Sequence, residues 1–480
     1  MFETFDDIQA CIKERGIQLV DFKVVDLNGK WRHLTIPAER FTPAILEKGV
    51  GFDGSSYGFV TVEQSDMVFI PDISSAFIDP VIGLPAISMI GDIYRISDRF
   101  TRFESDPRYI AEKAENYLKD AKIADQCLFG PEFEFYVLDN VEYRTEMNHI
   151  EVHLDSAQAA WNAFDSPYDS PDGNKGYKVM KHKGYHADMP YDSSFGLRNQ
   201  VVRVLEEHGV PVKYHHTENG GPGQAEIEIE FATLKEVADR TQKLKYFLKN
   251  IAARNGRTVT FMPKPFYGES GSGMHVHVQM FHGGKPVFYD EKGYSHLSRT
   301  ALYAISGVLE HAAALTAFTC PSTNSYKRLV PGYEAPVTIC FGAANRTSVI
   351  RIPGYAKKPE DIRFEFRPAD ATSNPYLCYS AIIMAAVDGI QKKTDPGKHG
   401  FGPYDRNMYY LTDEEKKTIG RLPKSLDEAA DALERDCAFL FNGGVFNEEL
   451  IHSQLKKIRK DAEEVSIVPH PLEFEKYFDV

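Results

Sequence analysis

Glutamate, histidine and arginine recur at alternate positions in four short segments of the sequence. The alternating polar residues are Glu132 and Glu134; Glu226, Glu228 and Glu230; His275, His277 and Gln279; and Arg363, Glu365 and Arg367. Because alternate side chains of a strand point to the same face, each segment predicts a strand with one polar and one apolar face. A solvated face is the commoner meaning of such alternation, but lysine is nearly absent from all four segments. We therefore expect a concave sheet lined by polar groups.

These residue types favour metal and phosphate chemistry. Carboxylates with a histidine and without thiolates suit Mg²⁺ or Mn²⁺ better than zinc. Arg328, Arg346 and Arg351 are forked cations that match carboxylates and phosphoryl oxygens, although arginines at strand ends more often form surface salt bridges. Together with the glutamates they form the minimum set for phosphoryl transfer. The glycine-rich GESGSGMH segment (268–275) is a weak signal by itself, and no P-loop or strand-anchored GxGxxG is present.

Composition narrows the class of protein. The chain has 480 residues, 42% apolar and 26% charged, which excludes a disordered chain, a collagen-like repeat and a membrane bundle. Its net charge of −14, from 55 basic and 69 acidic residues, disfavours nucleic-acid and anionic-membrane partners. Six scattered cysteines without a CxxC pair predict reduced thiols. The acidic N-terminus differs from a secretory signal, so we expect a cytoplasmic protein.

The pattern of helix and strand signals divides the chain near residue 104. Residues 1–104 predict a small α+β domain, and residues 105–480 a larger one with a helical C-terminal part. The expected elements of the first domain are a helix over 5–15 closed by Gly16, strands over 17–25 and 31–35 joined by an Asn28–Gly29 turn, a helix from Pro37 to Gly49, and strands over 66–72 and 87–96. Beyond it we expect a helix over 106–121, capping boxes at Thr412/Glu415 and Ser425/Glu428, and a charged final helix over 447–465.

Several ordered segments make the chain resemble type I glutamine synthetases over nearly its whole length. They are FDGSS (52–56), EQSDM (63–67), GPEFEF (130–135), KGY (183–185), HHTE with GQAE (215–226), FMPKP with GSGMHVH (261–277), NSYKRLVPGYEAP (324–336), NRTSVIRIP (345–353), RFEFRPADATSNPY (363–376) and PHPLEFEKY (469–477). The order of so many segments is far more specific than any one of them.

The resemblance implies an α+β fold with a small β-grasp-like N-terminal domain and a large catalytic domain whose curved, antiparallel-rich sheet forms a funnel flanked by helices. It implies ATP-dependent synthesis of L-glutamine from L-glutamate and ammonia through γ-glutamyl phosphate. It also implies two or more Mg²⁺ or Mn²⁺ ions per subunit, and a homo-oligomer, a dodecamer of two stacked hexameric rings, with active sites shared between neighbouring subunits.

The same resemblance assigns roles to individual residues. Metal ligands would be Glu134, Glu218 and Glu226 near glutamate, and Glu132, His275 and Glu365 near the ATP phosphates. Glutamate and ammonia would be bound by Tyr185, Gly271, Arg328 and Arg367, with Asp53, Glu218 and Glu334 completing the ammonia pocket. Arg346 and Arg351 would stabilise the phosphoryl oxygens, and Phe231, His277 and Arg363 would surround the nucleotide.

Four positions depart from the common family pattern: Ser270, Gln279, Ala344 and Glu360. They bear on affinities more than on the reaction. Tyr409 lies where some members are adenylylated, but unmodified members also carry a tyrosine there. Two alternatives stay open. One is a γ-glutamyl ligase that uses a polyamine or another amine, and the other is a catalytically silent structural relative. Asp53 with Ser55 and Ser56, and the intact Glu334, favour ammonia, and no expected ligand or arginine is missing.

Overall fold

The computed structural model describes residues 2–96, 100–164, 166–169, 173–330, 335–412 and 415–479. The N-terminal sheet contains β1 (Leu19–Val25), β2 (Trp31–Pro37), β3 (Val50–Asp53), β4 (Asp66–Ile78), β5 (Ala86–Arg95) and β6 (Thr101–Arg102). Its order is β2-β1-β5-β4-β3, with β6 beside β5. β1 and β5 run parallel, whereas the other neighbours are antiparallel. The predicted strands of this region are therefore present, with β4 longer than expected.

Three helices accompany this sheet and lead out of it: α1 (Phe5–Arg15), α2 (Pro43–Lys48) and α3 (Pro107–Asp120). Gly16 ends α1 in the left-handed conformation, as predicted. The prediction of one helix from Pro37 to Gly49 is wrong. A short 3₁₀ helix over Ala38–Arg40 is followed by Thr42 in an extended conformation, and Pro43 then begins α2. The cause is Pro43, because a proline ring disfavours the helical conformation of the residue before it.

The remaining strands are β7 (Gln126–Leu138), β8 (Asn140–Glu146), β9 (His149–Asp155), β10 (Val212–Thr217), β11 (Gln224–Ile229), β12 (Ala232–Thr233), β13 (Thr258–Thr260), β14 (Met274–His282), β15 (Lys285–Pro286), β16 (Thr338–Ala343), β17 (Ser348–Ile352) and β18 (Phe364–Phe366). β8 and β9 form a separate hairpin. The others form the central sheet, in the order β10-β11-β7-β14-β18-β17-β16 with short strands at its margins. Its described pairs are antiparallel except β16 with β17. All four segments with alternating polar residues contribute to this sheet.

The later helices are α4 (Phe195–Glu207), α5 (Leu234–Arg254), α6 (Arg299–Glu310), α7 (Ala312–Thr319), α8 (Ser325–Arg328), α9 (Pro375–Lys392), α10 (Glu415–Thr418), α11 (Leu426–Arg435), α12 (Glu448–Ser466) and α13 (Pro471–Tyr477). Further 3₁₀ turns lie at Gly54–Tyr57, Val62–Gln64, Ala160–Asn162, Tyr294–His296, Pro359–Asp361, Met408–Tyr410 and Ala438–Gly444. Helices α3, α5, α6 and α9 pack on the apolar side of the central sheet. Phe129 of β7, for example, stacks on Tyr379 of α9 with ring centroids 5.4 Å apart. This packing leaves the polar face of the sheet to line a cavity.

The predicted capping box at Thr412 and Glu415 is confirmed, whereas the one at Ser425 and Glu428 is only half formed. Thr412 and Glu415 exchange both bonds of a capping box, at 3.2 and 2.8 Å. Ser425 accepts from the Glu428 amide at 3.2 Å, but the Glu428 carboxylate accepts from the amide of Lys424 instead of closing the box. The predicted charged helix is α12, within one residue of its predicted bounds, but it is not the final helix, because the short helix α13 follows it. The six cysteines form no disulfide.

Helix length and apolar content decide whether the described segments could cross a membrane. No single helix among them is long and apolar enough to cross a bilayer, and only α6 with α7, a pair bent by 73°, passes on length and composition.

His311 lies at this bend and joins three helical elements. Its Nε2 atom donates to Asp388 of α9 at 3.0 Å, its Nδ1 atom donates to Asp436 at 2.8 Å, and its ring stacks on Phe439 at 3.9 Å. Burial alone would lower the imidazole pKa, but the hydrogen bonds and charges of Asp388 and Asp436 raise the pKa of His311 to about 9. The imidazolium therefore stabilises the folded state.

We expect His311→Gln to destabilise the protein more at pH 6 than at pH 9.5. The folded pKa is higher than the unfolded one, so the contribution is complete below about pH 6.5 and disappears as the pH rises to about 9, a difference of roughly 2 to 3 kcal/mol. Thermal unfolding of both proteins at the two pH values measures it. An equal loss of stability at both values would show that His311 acts by packing alone.

Candidate functional site

The register of the central sheet brings the predicted carboxylates side by side. Strand β7 lies between β11 and β14, so Glu134 faces Glu226 across one edge and Glu132 faces His275 across the other. On the far side of β14, Glu365 of β18 is aligned with His277. Residues from distant parts of the chain thus form one continuous polar surface.

This surface lines a cavity of about 650 Å³. The predicted site residues that line it are Glu132, Glu134, Tyr185, Glu218, Glu226, Gly271, His275, Arg328, Arg346, Arg351 and Arg367. The cavity is large enough for a small ligand together with ions and is much more polar than an ordinary ligand pocket.

One half of the cavity floor pairs carboxylates with histidines and arginines. His275 Nδ1 lies 2.9 Å from Glu132, and Glu365 lies 3.8 Å from the same nitrogen. Glu132, His275 and Glu365 offer donor atoms close enough to one another to share an ion. The carboxylate of Glu365 also forms ion pairs with both Arg351 and Arg367.

These neighbours keep both glutamates ionised. Burial would raise the pKa of Glu132, but the charge of His277 and hydrogen bonds from both histidines hold that pKa well below its usual range. Burial also opposes ionisation of Glu365, yet Arg367 foremost lowers the pKa of Glu365 to about 2. Both carboxylates of this half therefore stay ionised at neutral pH, and the neighbouring arginines compensate their charge.

The other half is acidic without comparable compensation. Burial, followed by the charges of Glu132, Glu134 and Glu218, raises the pKa of Glu226 well above its usual range. Glu226 and Glu218 also share a possible ion site with His216, whose Nε2 atom lies 3.5 Å from the Glu226 carboxylate. Glu134 instead accepts a hydrogen bond from the Gly273 amide at 2.5 Å. Oxygen-rich, mutually repelling carboxylates fit a hard divalent cation, so both halves are chemically suited to Mg²⁺ or Mn²⁺.

Arg328 is fixed beneath the glycine-rich segment. Its guanidinium donates to the carbonyls of Pro368 at 2.6 Å and Arg367 at 3.1 Å. A Cβ atom at Gly271 would lie 2.7 Å from both Arg328 Cγ and the Pro263 carbonyl oxygen. Glycine at this position therefore allows the backbone to approach Arg328 closely.

Phe231, His277 and Arg363 form a cluster beside the cavity. Arg363 Nε lies 3.3 Å from His277 Nδ1, and the guanidinium carbon lies 5.6 Å from the Phe231 ring centroid. The same carbon lies 5.4 Å from the ring of Tyr355, which lines the cavity. The cluster combines aromatic faces with a cation, as a site for a flat heterocyclic ring would.

Asp53, which was predicted to belong to the ammonia pocket, lies away from this cavity. Asp53 is exposed at the end of β3 and does not line the cavity of its own chain. Its carboxylate accepts from the hydroxyls of Ser55 at 2.6 Å and Ser56 at 2.5 Å, and these bonds lower its pKa. Glu334 lies outside the described residues, as does the side chain of Tyr409.

The four unusual positions are distributed unevenly. Ser270 lines the cavity, where its hydroxyl accepts from Asn219 at 2.9 Å. Gln279, Ala344 and Glu360 are not among the residues that line it.

Sequence reasoning missed several residues that line the cavity, among them His216 and Tyr355. His216 belongs to the quoted HHTE segment and is aligned with Glu226, which is a signal that becomes visible only when β10 is paired with β11. Tyr355 lies in the loop that follows β17, and no pattern in the sequence of this loop predicts its contact with Arg363.

Comparison with known proteins identifies the family. Residues 104–477 match the model of the glutamine synthetase catalytic domain, and residues 16–96 match that of the glutamine synthetase β-grasp domain. A glutamine synthetase of Aquifex aeolicus is 44% identical over 480 residues, covering 99% of each chain. The cryo-EM structure of Plasmodium falciparum glutamine synthetase superposes with a TM-score of 0.88 at 27% identity, covering 99% of each chain. A structure of a GmaS/ADP complex gives a TM-score of 0.80 at 26% identity over 99% of this chain and all of the other.

The β-grasp N-terminal sheet and the larger unit with a curved sheet, both predicted from the sequence, are thereby confirmed. The family match and the full-length relatives point to the same conclusion as the carboxylate and arginine cavity. The chain therefore belongs to the glutamine synthetase family.

Proposed function

We propose that the cavity on the central sheet performs the glutamine synthesis of this ligase family in two chemical steps. The observation that carries the proposal is the meeting of two clusters of potential metal ligands with four arginines, Arg328, Arg346, Arg351 and Arg367, in one cavity. In the first step a glutamate side-chain oxygen attacks the γ-phosphorus of ATP, and the bond from that phosphorus to ADP breaks. In the second step ammonia attacks the resulting acyl phosphate, and phosphate leaves.

One Mg²⁺ or Mn²⁺ ion would be held by Glu134, Glu218 and Glu226. A second ion would be held by Glu132, His275 and Glu365. When bound, such ions neutralise phosphoryl charge and orient the phosphate oxygens. The acidic half supports this ligand set because burial and neighbouring charges disfavour the ionised form of Glu226. His216 is a further candidate ligand beside Glu218 and Glu226.

The arginines position the two substrates. Arg328 and Arg367 would bind the glutamate α-carboxylate, with Gly271 and Tyr185 at the same end of the cavity. Arg351 and Arg346 would meet the phosphoryl oxygens. Phe231, His277 and Arg363 would bind the nucleotide, and the fact that a structural relative forms a complex with ADP supports a nucleotide as a ligand. We also propose a cytoplasmic location, because the proposed reaction consumes ATP and glutamate.

Ammonia must react as the neutral amine, although ammonium dominates at pH 7. Tyr185 and Glu218 line the cavity, whereas Asp53 lies on another part of the same chain. We place Asp53 in the cavity of a neighbouring subunit, where with Glu334 it would bind ammonium and accept its proton. This requires an oligomer in which each cavity is completed by a neighbouring chain, and we propose the dodecamer implied by the family.

The test is product formation with three acceptors. With Mg²⁺ present, ammonia should give glutamine, hydroxylamine should give the γ-glutamyl hydroxamate, and putrescine should give little product. Without a divalent metal all three should fail. Preference for putrescine over ammonia would support the γ-glutamyl ligase alternative, and no product with any acceptor would support a silent relative. Neither alternative is favoured by a feature of the site.

Arg346→Lys is expected to reduce kcat at least about tenfold while changing the KM for ATP less than about threefold, because a point charge cannot reproduce the guanidinium fork at a developing phosphoryl charge. Arg346 is exposed within the cavity, so the substitution does not disturb the core. Steady-state kinetics with varied ATP and saturating glutamate measure both constants. A lysine variant with the turnover of the unmodified protein would assign the role to another residue.

A further inference from the structure

A second cavity, of about 540 Å³, lies between the N-terminal sheet and the helices behind the central sheet. It is formed by the turn over residues 28–31, one face of α5, β13 and residues 371–373. It shares no lining residue with the cavity that holds the proposed metal ligands. It is therefore a separate site.

The charge of this cavity is opposite to that of the chain. Three of its lining residues are lysines, Lys30, Lys245 and Lys249, and none is an aspartate or glutamate. The whole chain has 69 acidic and 55 basic residues. A lining with three cations and no carboxylate is therefore a local reversal of the average charge.

The three lysines form no ion pair with a carboxylate among the residues that the structure describes. Lys245 Nζ donates to the carbonyl of Ala371 at 2.7 Å, which uses one of its three N–H groups. Lys249 follows Lys245 by four residues and lies on the same face of α5. Burial, and then the charge of Lys249, lowers the pKa of Lys245 to about 7, and burial followed by Lys30 lowers the pKa of Lys249. The three cations therefore repel one another across the cavity.

The other walls supply aromatic surface and further donors. Trp31 and Tyr246 lie edge to face with ring centroids 5.5 Å apart. Trp31 Nε1 is buried and has no hydrogen-bond partner in the described structure. Thr372 and Ser373 add hydroxyl groups. A buried indole donor beside unneutralised ammonium groups points to a missing acceptor.

We propose that this cavity binds a small organic anion that carries at least two phosphate or carboxylate groups. Its volume exceeds the needs of a single phosphate and lies in the range of ordinary small-molecule sites. Lysine acts as a point charge toward a phosphate as toward a carboxylate, so ligands of both classes would be bound by the same chemistry.

The ligand would bridge two parts of the chain. Lys30 belongs to the turn that precedes β2, whereas Lys245 and Lys249 belong to α5. Gln242 of α5 already donates to the carbonyl of Gly29 at 2.9 Å, so this contact exists without a ligand. An anion bound to all three lysines would strengthen it.

Tryptophan fluorescence provides a local probe, since Trp31 and Trp161 are the two tryptophans of the chain and Trp161 is not among the lining residues. In a Trp161→Phe protein without added metal, pyrophosphate and citrate would be titrated separately. We expect a saturable change of Trp31 fluorescence with at least one of them. A response to pyrophosphate alone identifies the phosphate class, and a response to citrate alone identifies the carboxylate class.

Lys30→Gln and Lys249→Gln would be introduced together into the Trp161→Phe protein. Both positions are exposed, so their replacement leaves the core intact. Removing two of three cations should weaken binding at least about tenfold. The matched control is Lys13→Gln with Lys285→Gln, which removes two exposed lysines outside both cavities and should change affinity less than about twofold. Glutamine synthesis without added pyrophosphate or citrate should be unchanged in both variants, as evidence of folding.

Calorimetry with the same probes gives an independent affinity, because the proposed catalytic cavity can also attract anions. The proposal is overturned if neither probe changes Trp31 fluorescence and the calorimetric affinities of the Lys30/Lys249 variant equal those of its parent. It is overturned equally if the Lys13/Lys285 control weakens binding as much as the Lys30/Lys249 variant does, since the effect would then be one of net charge.

Discussion

Glu226→Ala and Glu134→Ala should each reduce the rate of glutamine formation at least about a hundredfold, on the order of 3 kcal/mol of transition-state stabilisation. Glu226 is buried among carboxylates that raise its pKa, and Glu134 faces it across β7 and β11. Both are proposed to hold one cation, so removal of either leaves the remaining ligands to repel one another. Initial rates at saturating Mg²⁺ measure the loss. Retention of more than a tenth of the activity by either variant would contradict the ligand assignment.

Glu230→Ala is the matched control for this prediction. It lies on the same alternating segment as Glu226, but β11 ends at Ile229 and Glu230 is exposed. We expect its activity to stay within about twofold of the unmodified protein, as for most exposed substitutions. Glu226→Gln adds a second control. It removes one buried acid from a repelling group, so the metal-free variant should unfold at no lower a temperature than metal-free parent, even though its activity is lost.

The polar face of the central sheet was predictable because the period of a strand is local. The alternation of Glu132 with Glu134, and of His275 with His277, determines which side chains share a face wherever the strands lie. The register that places Glu226 opposite Glu134 depends on pairing between strands about 90 residues apart in sequence, and periodicity contains no information on it. The resemblance to a known family, and not the alternation, associated Glu218 with this group.

Sequence reasoning failed where tertiary context decides the outcome. Alternation extended the polar face to Glu230, but the strand ends one residue earlier. The apolar pattern from Pro37 to Gly49 resembled one helix, whereas Pro43 divides it. Lys245 and Lys249 have the spacing of an ordinary solvated helix face. Only the packing of the turn at Lys30 against α5 shows that they line a cavity.

The position of Asp53 constrains the assembly of the protein more than any other predicted site residue does. It stands at the end of β3, is exposed, and is absent from the lining of the cavity of its own chain. Its carboxylate is nevertheless held by two serine hydroxyls, which fix its direction and favour its charge. If this aspartate binds ammonium, it must do so in the cavity of another subunit, and every active site must contain parts of two chains.

Mixed assemblies test this arrangement directly. Asp53→Ala chains and Glu226→Ala chains should each be nearly inactive alone, since one lacks the ammonium ligand and the other a metal ligand at every site. In a ring with head-to-tail contacts, an intact N-terminal sheet from one chain can meet an intact cavity from its neighbour. Random mixing of equal amounts should restore about a quarter of the full activity, because half the chains supply each intact part independently. Co-expressed rings, with both chains verified by mass spectrometry, that remain as inactive as the single variants would show that Asp53 does not complete a neighbour's site.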